Sequence, residues 1–391
     1  MKKLYSVIFI LLAFILSVGY FNGLYSYNAL ADTEVTLSVK SKSAYLMDYK
    51  TKTVIYEKNE LERLPIASMC KVMTLLLCFD EIEKGNLSYD EKVVISENSA
   101  GMGGSQVFLE KDGEYIVGEL IKSIVVASAN DACVAMAERI AGSQANFVDK
   151  MNEKASELGM TNTVFVNCTG LPQAGQYSCA KDVATMFSKL LDYEDYYKFS
   201  KIWTDVVTHP NDRKTEIANT NKLIRFYKGC DSGKTGYTNE AGHCLTASAK
   251  RNDMRLVGVV ICASNSKERF GDVSSMFNYG FDNFCNKTII ESDKPLDLTV
   301  KVQGGKKRTL SVVAESPLYI FCKKNAKKSI EINFEPIKKV CAPVVKGKKV
   351  GVLRAFENGI EIGSVNVLAN ESIMQKTYFD IVKDIVNNWC I

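Results

Sequence analysis

The sequence predicts an α/β (α+β) domain, then a small all-β module, then a C-terminal amphipathic helix. Three observations carry that prediction. Between Val35 and Phe281, apolar runs of helical length lie between strand-like runs near both ends of the segment. From Leu298 to Val367 the chain turns to short alternating runs separated by turn residues such as Gly304-Gly305 and Lys346-Gly347-Lys348. From Met374 to Trp389 apolar residues return at three- and four-residue spacing.

The chain opens with Lys2-Lys3, an apolar run from Leu4 to Tyr20, and Ala29-Leu30-Ala31 before Asp32. A charged start, an apolar middle and small residues at the end make residues 1–31 a secretory signal peptide, with an uncleaved N-terminal anchor as the alternative. Both readings put the remainder outside the cytoplasm. Removing the segment takes two lysines and no acid, so the formal charge falls from +4 to +2. A surface this close to neutral gives no reason to expect nucleic acid as a partner.

The 12 cysteines do not read as a disulfide framework. Cys70, Cys78, Cys133, Cys244 and Cys262 fall inside apolar patterns, where cysteine behaves as a small buried hydrophobe. There is no C-x-x-C pair, and His209 and His243 are the 2 histidines, so neither a metal site nor a cofactor is expected.

The first domain is expected over residues 32–286. Strand-like runs flank Asp48-Tyr49-Lys50-Thr51 as a hairpin. A helix then begins near Pro65, carries Ser68 and Lys71, and continues through Ile82 to a stop at Gly85. Residues three apart share a helix face, so Lys71 can lie over Ser68. The spacing alone is weak, since it recurs at Ser178–Lys181 and Ser264–Lys267, and Ser68 can equally be an N-cap.

Gly101 to Ser105 is a loop, but no Gly-Lys-Ser/Thr follows to make it a phosphate cradle. Helices over Glu119–Ala127 and Asp131–Ala141 enclose the polar turn Ser128-Ala129-Asn130. Ser128 could cap the second helix, yet polar groups there face an interior and need partners. A helix from Asn146 to Glu157, a strand over Thr163–Val166, the turn Asn167 to Pro172 and a helix over Ala180–Leu191 follow. Lys234-Thr235-Gly236 occurs once, ahead of paired strands around the Lys250–Asp253 turn. It reads either as a hairpin-edge lysine or as a site whose glycines let another segment approach closely. A helix from Ser266 to Phe281 closes the domain. The β module is expected over 290–369 and the amphipathic helix over 370–391.

Ser68-x-x-Lys71, Ser128-x-Asn130 and Lys234-Thr235-Gly236 appear in that order in an exported chain. Together with the runs Phe165–Pro172, Asp231–Ala249 and Arg269–Phe281, they resemble the D-alanyl-D-alanine carboxypeptidases among the low-molecular-weight penicillin-binding proteins. The resemblance implies a serine β-lactamase/transpeptidase-like fold and removal of the terminal D-alanine from peptidoglycan stem peptides ending in D-Ala-D-Ala. It implies Ser68 as nucleophile, Lys71 as its base and Ser128 as proton relay. Asn130, Lys234, Thr235, Gly236 and Tyr237 would hold the substrate, with Arg269 as a helper and β-lactams as covalent inhibitors. The backbone N–H groups of Ser68 and Tyr237 would form the oxyanion hole.

A serine needs a base, and neither histidine lies in these motifs. Lysine serves if burial or a neighbouring ammonium lowers its pKa, and Lys234 would be that neighbour. The middle motif carries alanine where glycine is common in the family, a small change. Two other functions share parts of this motif set. A class A β-lactamase needs a glutamate just before an asparagine in the loop between the second and third motifs, whereas Val166 precedes Asn167 here. An inactive wall-binding homologue would have no reason to keep every polar residue of the set.

The C-terminal stripe is Met374, Tyr378, Ile381, Val382, Ile385, Val386 and Trp389, with Ile373 and Phe379 beside it. It predicts a helix lying in a membrane interface, on the outer face of the cytoplasmic membrane, although docking on the β module would bury the same stripe. Two lysines against two aspartates predict little dependence on salt. A chain ending at Asn370 is then expected to keep activity and lose liposome binding.

Overall fold

In the computed structural model, residues 37–292, 294–324 and 329–389 are described. The leader read over residues 1–31 lies outside them. Five antiparallel strands make the central sheet of the first domain, in the order Val54–Lys58, Ser43–Asp48, Met254–Ala263, Gly242–Arg251 and Cys230–Thr238. The two N-terminal strands thus sit against three strands from 200 residues later, which no local periodicity reveals. Lys234-Thr235-Gly236 lies on the last of these, at the sheet edge.

Helices cover the sheet and one another. The serine-bearing segment is a 3₁₀ turn, Ala67–Cys70, that runs into the helix Lys71–Glu83. Residues 71 to 80 of that helix are all buried, as an element apolar all round must be. The helices Val117–Val126, Asn130–Ala141, Gln144–Glu157 and Ala180–Leu190 contribute to the same core. Their bounds fall within a few residues of the sequence expectation, since Gly142 ends one in the left-handed conformation and Ser143 caps the next. The helix Ser266–Asn283 starts at an Asn265 cap and packs on the central sheet.

Three expectations change. The strand anticipated at Thr163–Val166 reduces to one bridge, Val164 with Tyr177, because the segment is pinned by side chains instead. Asn152 holds Phe165 through both its backbone groups, and Gln176 receives the N–H groups of Val166 and Asn167. The boundary expected between residues 286 and 290 falls inside a strand. Phe284–Ile290 is a strand continuing from the Ser266–Asn283 helix, and it pairs with Leu318–Lys323 of the β module.

The third change concerns the C-terminus. The helix spans Tyr378–Trp389, later than the periodicity suggests. Residues 371–376 instead run along the β module, a six-stranded sheet in the order Ile330–Pro336, Lys349–Glu357, Ile360–Ala369, Thr309–Ala314, Thr299–Gln303 and Val340–Cys341. Ile373 bridges Val344 and lies in that module's core at 2% exposure. A cut at Asn370 would therefore remove a core residue along with the helix. Ile373→Ala is expected to destabilise the module by roughly 2–5 kcal/mol, read as a lower urea midpoint. An unchanged midpoint would mean the segment is not part of the core.

Candidate active site

Ser68 reaches its position through an uncommon backbone. Ala67 has φ 47°, in the left-handed region that a Cβ disfavours, so the chain turns sharply into the 3₁₀ segment. Ser68 caps neither helix: the cap residues are Ile66 and Cys70, and neither cap is made by a side chain. Two glycines press on this turn. A Cβ on Gly170 (φ +80°) would lie 2.0 Å from the Ala67 carbonyl oxygen, and one on Gly236 would lie 2.6 Å from that of Ile66. The close approach expected of the Lys234 glycines is thus made by Gly236, directly on the serine turn. Gly170→Ala is expected to displace Ser68 and slow acylation about hundredfold. Acylation at the parent rate would show that the turn tolerates the shift.

Lys71 lies over Ser68 as the three-residue spacing requires. Its Nζ donates to Ser68 Oγ at 3.0 Å and to the Thr169 carbonyl at 2.5 Å. Lys234 Nζ, brought in from the sheet edge, donates to Ser128 Oγ at 2.7 Å and to the Thr235 carbonyl at 3.0 Å. Both ammonium groups are essentially out of solvent. Burial is the main cause pushing each below its ordinary value of 10.5, and Lys234 goes further because the charges of Lys71 and Arg269 add to it. Two ammonium groups in one dry pocket repel, which favours loss of a proton from one of them.

Ser128 is not a helix cap either. It sits at φ 62°, Ala129 precedes the helix, and the strained turn aims the hydroxyl at Lys234. Asn130 is buried; its Nδ2 donates to the Gly103 carbonyl at 2.7 Å and its backbone N–H to that of Ser105. Its Oδ1 has no partner among the described residues. The Gly101–Ser105 loop, read in the sequence only as a failed phosphate cradle, is therefore the wall that orients Asn130. Asp131 fixes the loop further on, receiving the N–H groups of Val107 and Leu109.

Thr235 bonds Thr220, and Tyr237 is exposed with its ring 4.4 Å from that of His243. Arg269 is buried behind the strand and donates to the carbonyls of Gly236 and Cys244 at 3.0 and 3.3 Å. It braces the Lys-Thr-Gly strand and adds positive charge there. His209 spends both ring nitrogens on Tyr115 and Thr215, so it has no geometry for a triad.

The thiols have a structural account. Burial pushes Cys70 up to about 12 and Cys133 up to about 11, which keeps both protonated. Cys70 Sγ donates to the Asn167 carbonyl at 3.2 Å, tying the serine turn to the turn that supplies Thr169. Thr169, Thr220, Asp131 and the glycine loop are the groups that sequence reasoning missed. They act through backbone or through contacts distant in sequence, for which no motif exists.

The D-alanyl-D-alanine carboxypeptidase family matches residues 30–265, and the C-terminal domain of penicillin-binding protein 5 matches residues 284–375. D-alanyl-D-alanine carboxypeptidase DacF of Bacillus subtilis is 41% identical over 358 residues, covering 90% of this chain and 91% of the relative. The crystal structure of penicillin-binding protein 5 from Haemophilus influenzae superposes with a TM-score of 0.73 at 28% identity, covering 86% of this chain and 98% of that one. A peptidoglycan synthesis regulatory factor (PBP3) from Streptococcus pneumoniae gives 0.74 at 26% identity, covering 86% and 100%. With its serine and two lysines gathered on one buried cluster, the chain belongs to the D-alanyl-D-alanine carboxypeptidase family.

Proposed function

We propose that this serine-type D-Ala-D-Ala carboxypeptidase works through a Ser68 acyl-enzyme whose base is neutral Lys71. The observation that carries the reading is the paired contact of Lys71 Nζ on Ser68 Oγ and Lys234 Nζ on Ser128 Oγ. Ser68 Oγ attacks the carbonyl carbon of the penultimate D-alanine and its proton passes to Lys71. The N–H groups of Ser68 and Tyr237 hold the oxyanion, each donor contributing roughly 10²–10³ in rate. Ser128 relays a proton to the departing D-alanine nitrogen as the C–N bond breaks. Water then hydrolyses the ester.

Asn130 would hold the stem peptide's amide, and Lys234, Thr235 and Gly236 its terminal carboxylate region, with Arg269 behind them. A bound carboxylate beside Lys234 favours that ammonium and leaves Lys71 as the group that stays neutral. β-Lactams acylate the same serine, their leaving nitrogen remaining tethered through the opened ring. Turnover is tested by D-alanine release from a pentapeptide ending in D-Ala-D-Ala. Penicillin labelling without any release would favour an inactive wall-binding protein, and rapid penicillin hydrolysis a β-lactamase.

The place of action we infer is the outer face of the cytoplasmic membrane, beside the wall. The leader of residues 1–31 supports export. The helix Tyr378–Trp389 leaves Tyr378, Phe379, Ile381, Val382, Ile385 and Val386 exposed, so the β module does not cover that stripe. No helix among the described residues is long and apolar enough to cross a membrane. An interfacial helix is what the stripe fits.

A further inference from the structure

The β module and the helix that leaves it differ in charge from the catalytic domain. Residues 291–391 hold 17 lysines and arginines against 11 aspartates and glutamates, while residues 32–290 carry a net formal charge of −4. Lys306 and Lys376 lie where the helix departs. Segment 371–376 is stitched between two lysine-bearing loops. Lys306 N donates to the Met374 carbonyl at 2.9 Å, and Lys376 N to that of Gly304 at 2.8 Å. On the other side Lys346 N donates to Ser372 Oγ at 2.9 Å.

Between the Thr299–Gln303 strand and this segment lies a groove of about 560 Å³. Lys301, Arg308 and Lys376 line it, with Gln303 and Thr309 as neutral polar groups, and no acid is among its lining residues. Lys376 pairs with Asp384 of the helix, whereas Lys301 and Arg308 make no ion pair among the described residues. Nearby Lys306 and Lys307 are answered by Asp380 and Glu371. The groove therefore keeps two uncompensated cations, Lys301 and Arg308, while its Lys376 lies two residues before an exposed apolar helix.

We propose that this groove receives the phosphate of an anionic phospholipid headgroup and orients the β module on the membrane. A phosphodiester polymer would satisfy the cations and leave the apolar stripe in water. A bilayer surface satisfies both at once, since headgroup phosphate and acyl chains lie side by side. The inference rests on the interfacial-helix reading, and it adds salt dependence, which the evenly charged helix alone does not supply.

The test uses the chain from Asp32 onward, the same chain ending at Lys376, and a Lys301→Gln/Arg308→Gln pair in the former. Each is titrated with vesicles of phosphatidylcholine or of an equal mixture of phosphatidylcholine and phosphatidylglycerol. On mixed vesicles at low salt the glutamine pair is expected to bind on the order of thirtyfold more weakly than the parent. The deficit should vanish at high salt and on phosphatidylcholine, and D-alanine release from a soluble peptide should not change. Parent-like binding by the glutamine pair on mixed vesicles overturns the groove while leaving the helix in place. Equal binding of the full and Lys376-ending chains to phosphatidylcholine overturns the helix instead. Release from mixed vesicles by soluble polyglycerol phosphate, lost in the glutamine pair, would reassign the groove to a wall polymer and overturn the lipid proposal.

Discussion

Ser68→Ala is expected to lower D-alanine release at least about 10⁴-fold and to abolish covalent labelling by penicillin. The removed oxygen is the atom that Lys71 Nζ approaches at 3.0 Å, and among the described residues no other hydroxyl shares that contact. The fold should survive, since Ser68 caps no helix and the turn is held by backbone and by Cys70. A labelled peptide from the parent protein should contain Ser68. Labelling mapped to Ser178 or Ser264, which share the spacing, would falsify the assignment. Ser178 is spent on Thr163 and Ser264 on Glu268, so neither is poised beside an amine.

Lys71→Arg carries the second large effect. Arginine keeps the charge and cannot give up its proton, so acylation is expected to fall roughly 10²–10⁴-fold. Lysine suits the proposed role because burial moves it: at 0% exposure its ammonium is disfavoured. The sign follows. In the proposed role neutral amine is the active form, so the parent's acylation rate should rise with pH, with a midpoint below the ordinary 10.5. The arginine variant should lack that limb. A full-rate variant, or a parent rate flat with pH, would remove Lys71 from the role of base. A melting curve checks that the longer guanidinium has not simply disrupted the helix.

The sequence by itself carried the order of the elements, the three motifs and the near bounds of most helices. Each depends on interactions within a few residues: periodicity places the serine helix, Gly142 ends another, and Ser68 and Lys71 meet because three residues nearly complete a turn. Tertiary structure decided what those motifs face. Lys234 meets Ser128 across 106 residues, and Thr169 receives Lys71 across 98. The Gly101–Ser105 loop finds its use only when Asn130 is folded against it. The C-terminus divides in the same way. The three-and-four spacing is a local property and was legible, but it places Ile373 and Phe379 alike beside the stripe. Only the bridge to Val344 sends the first into the β-module core and leaves the second to solvent. Burial is set by which distant surface arrives, and pairings at long sequence separation leave no periodic trace in the chain.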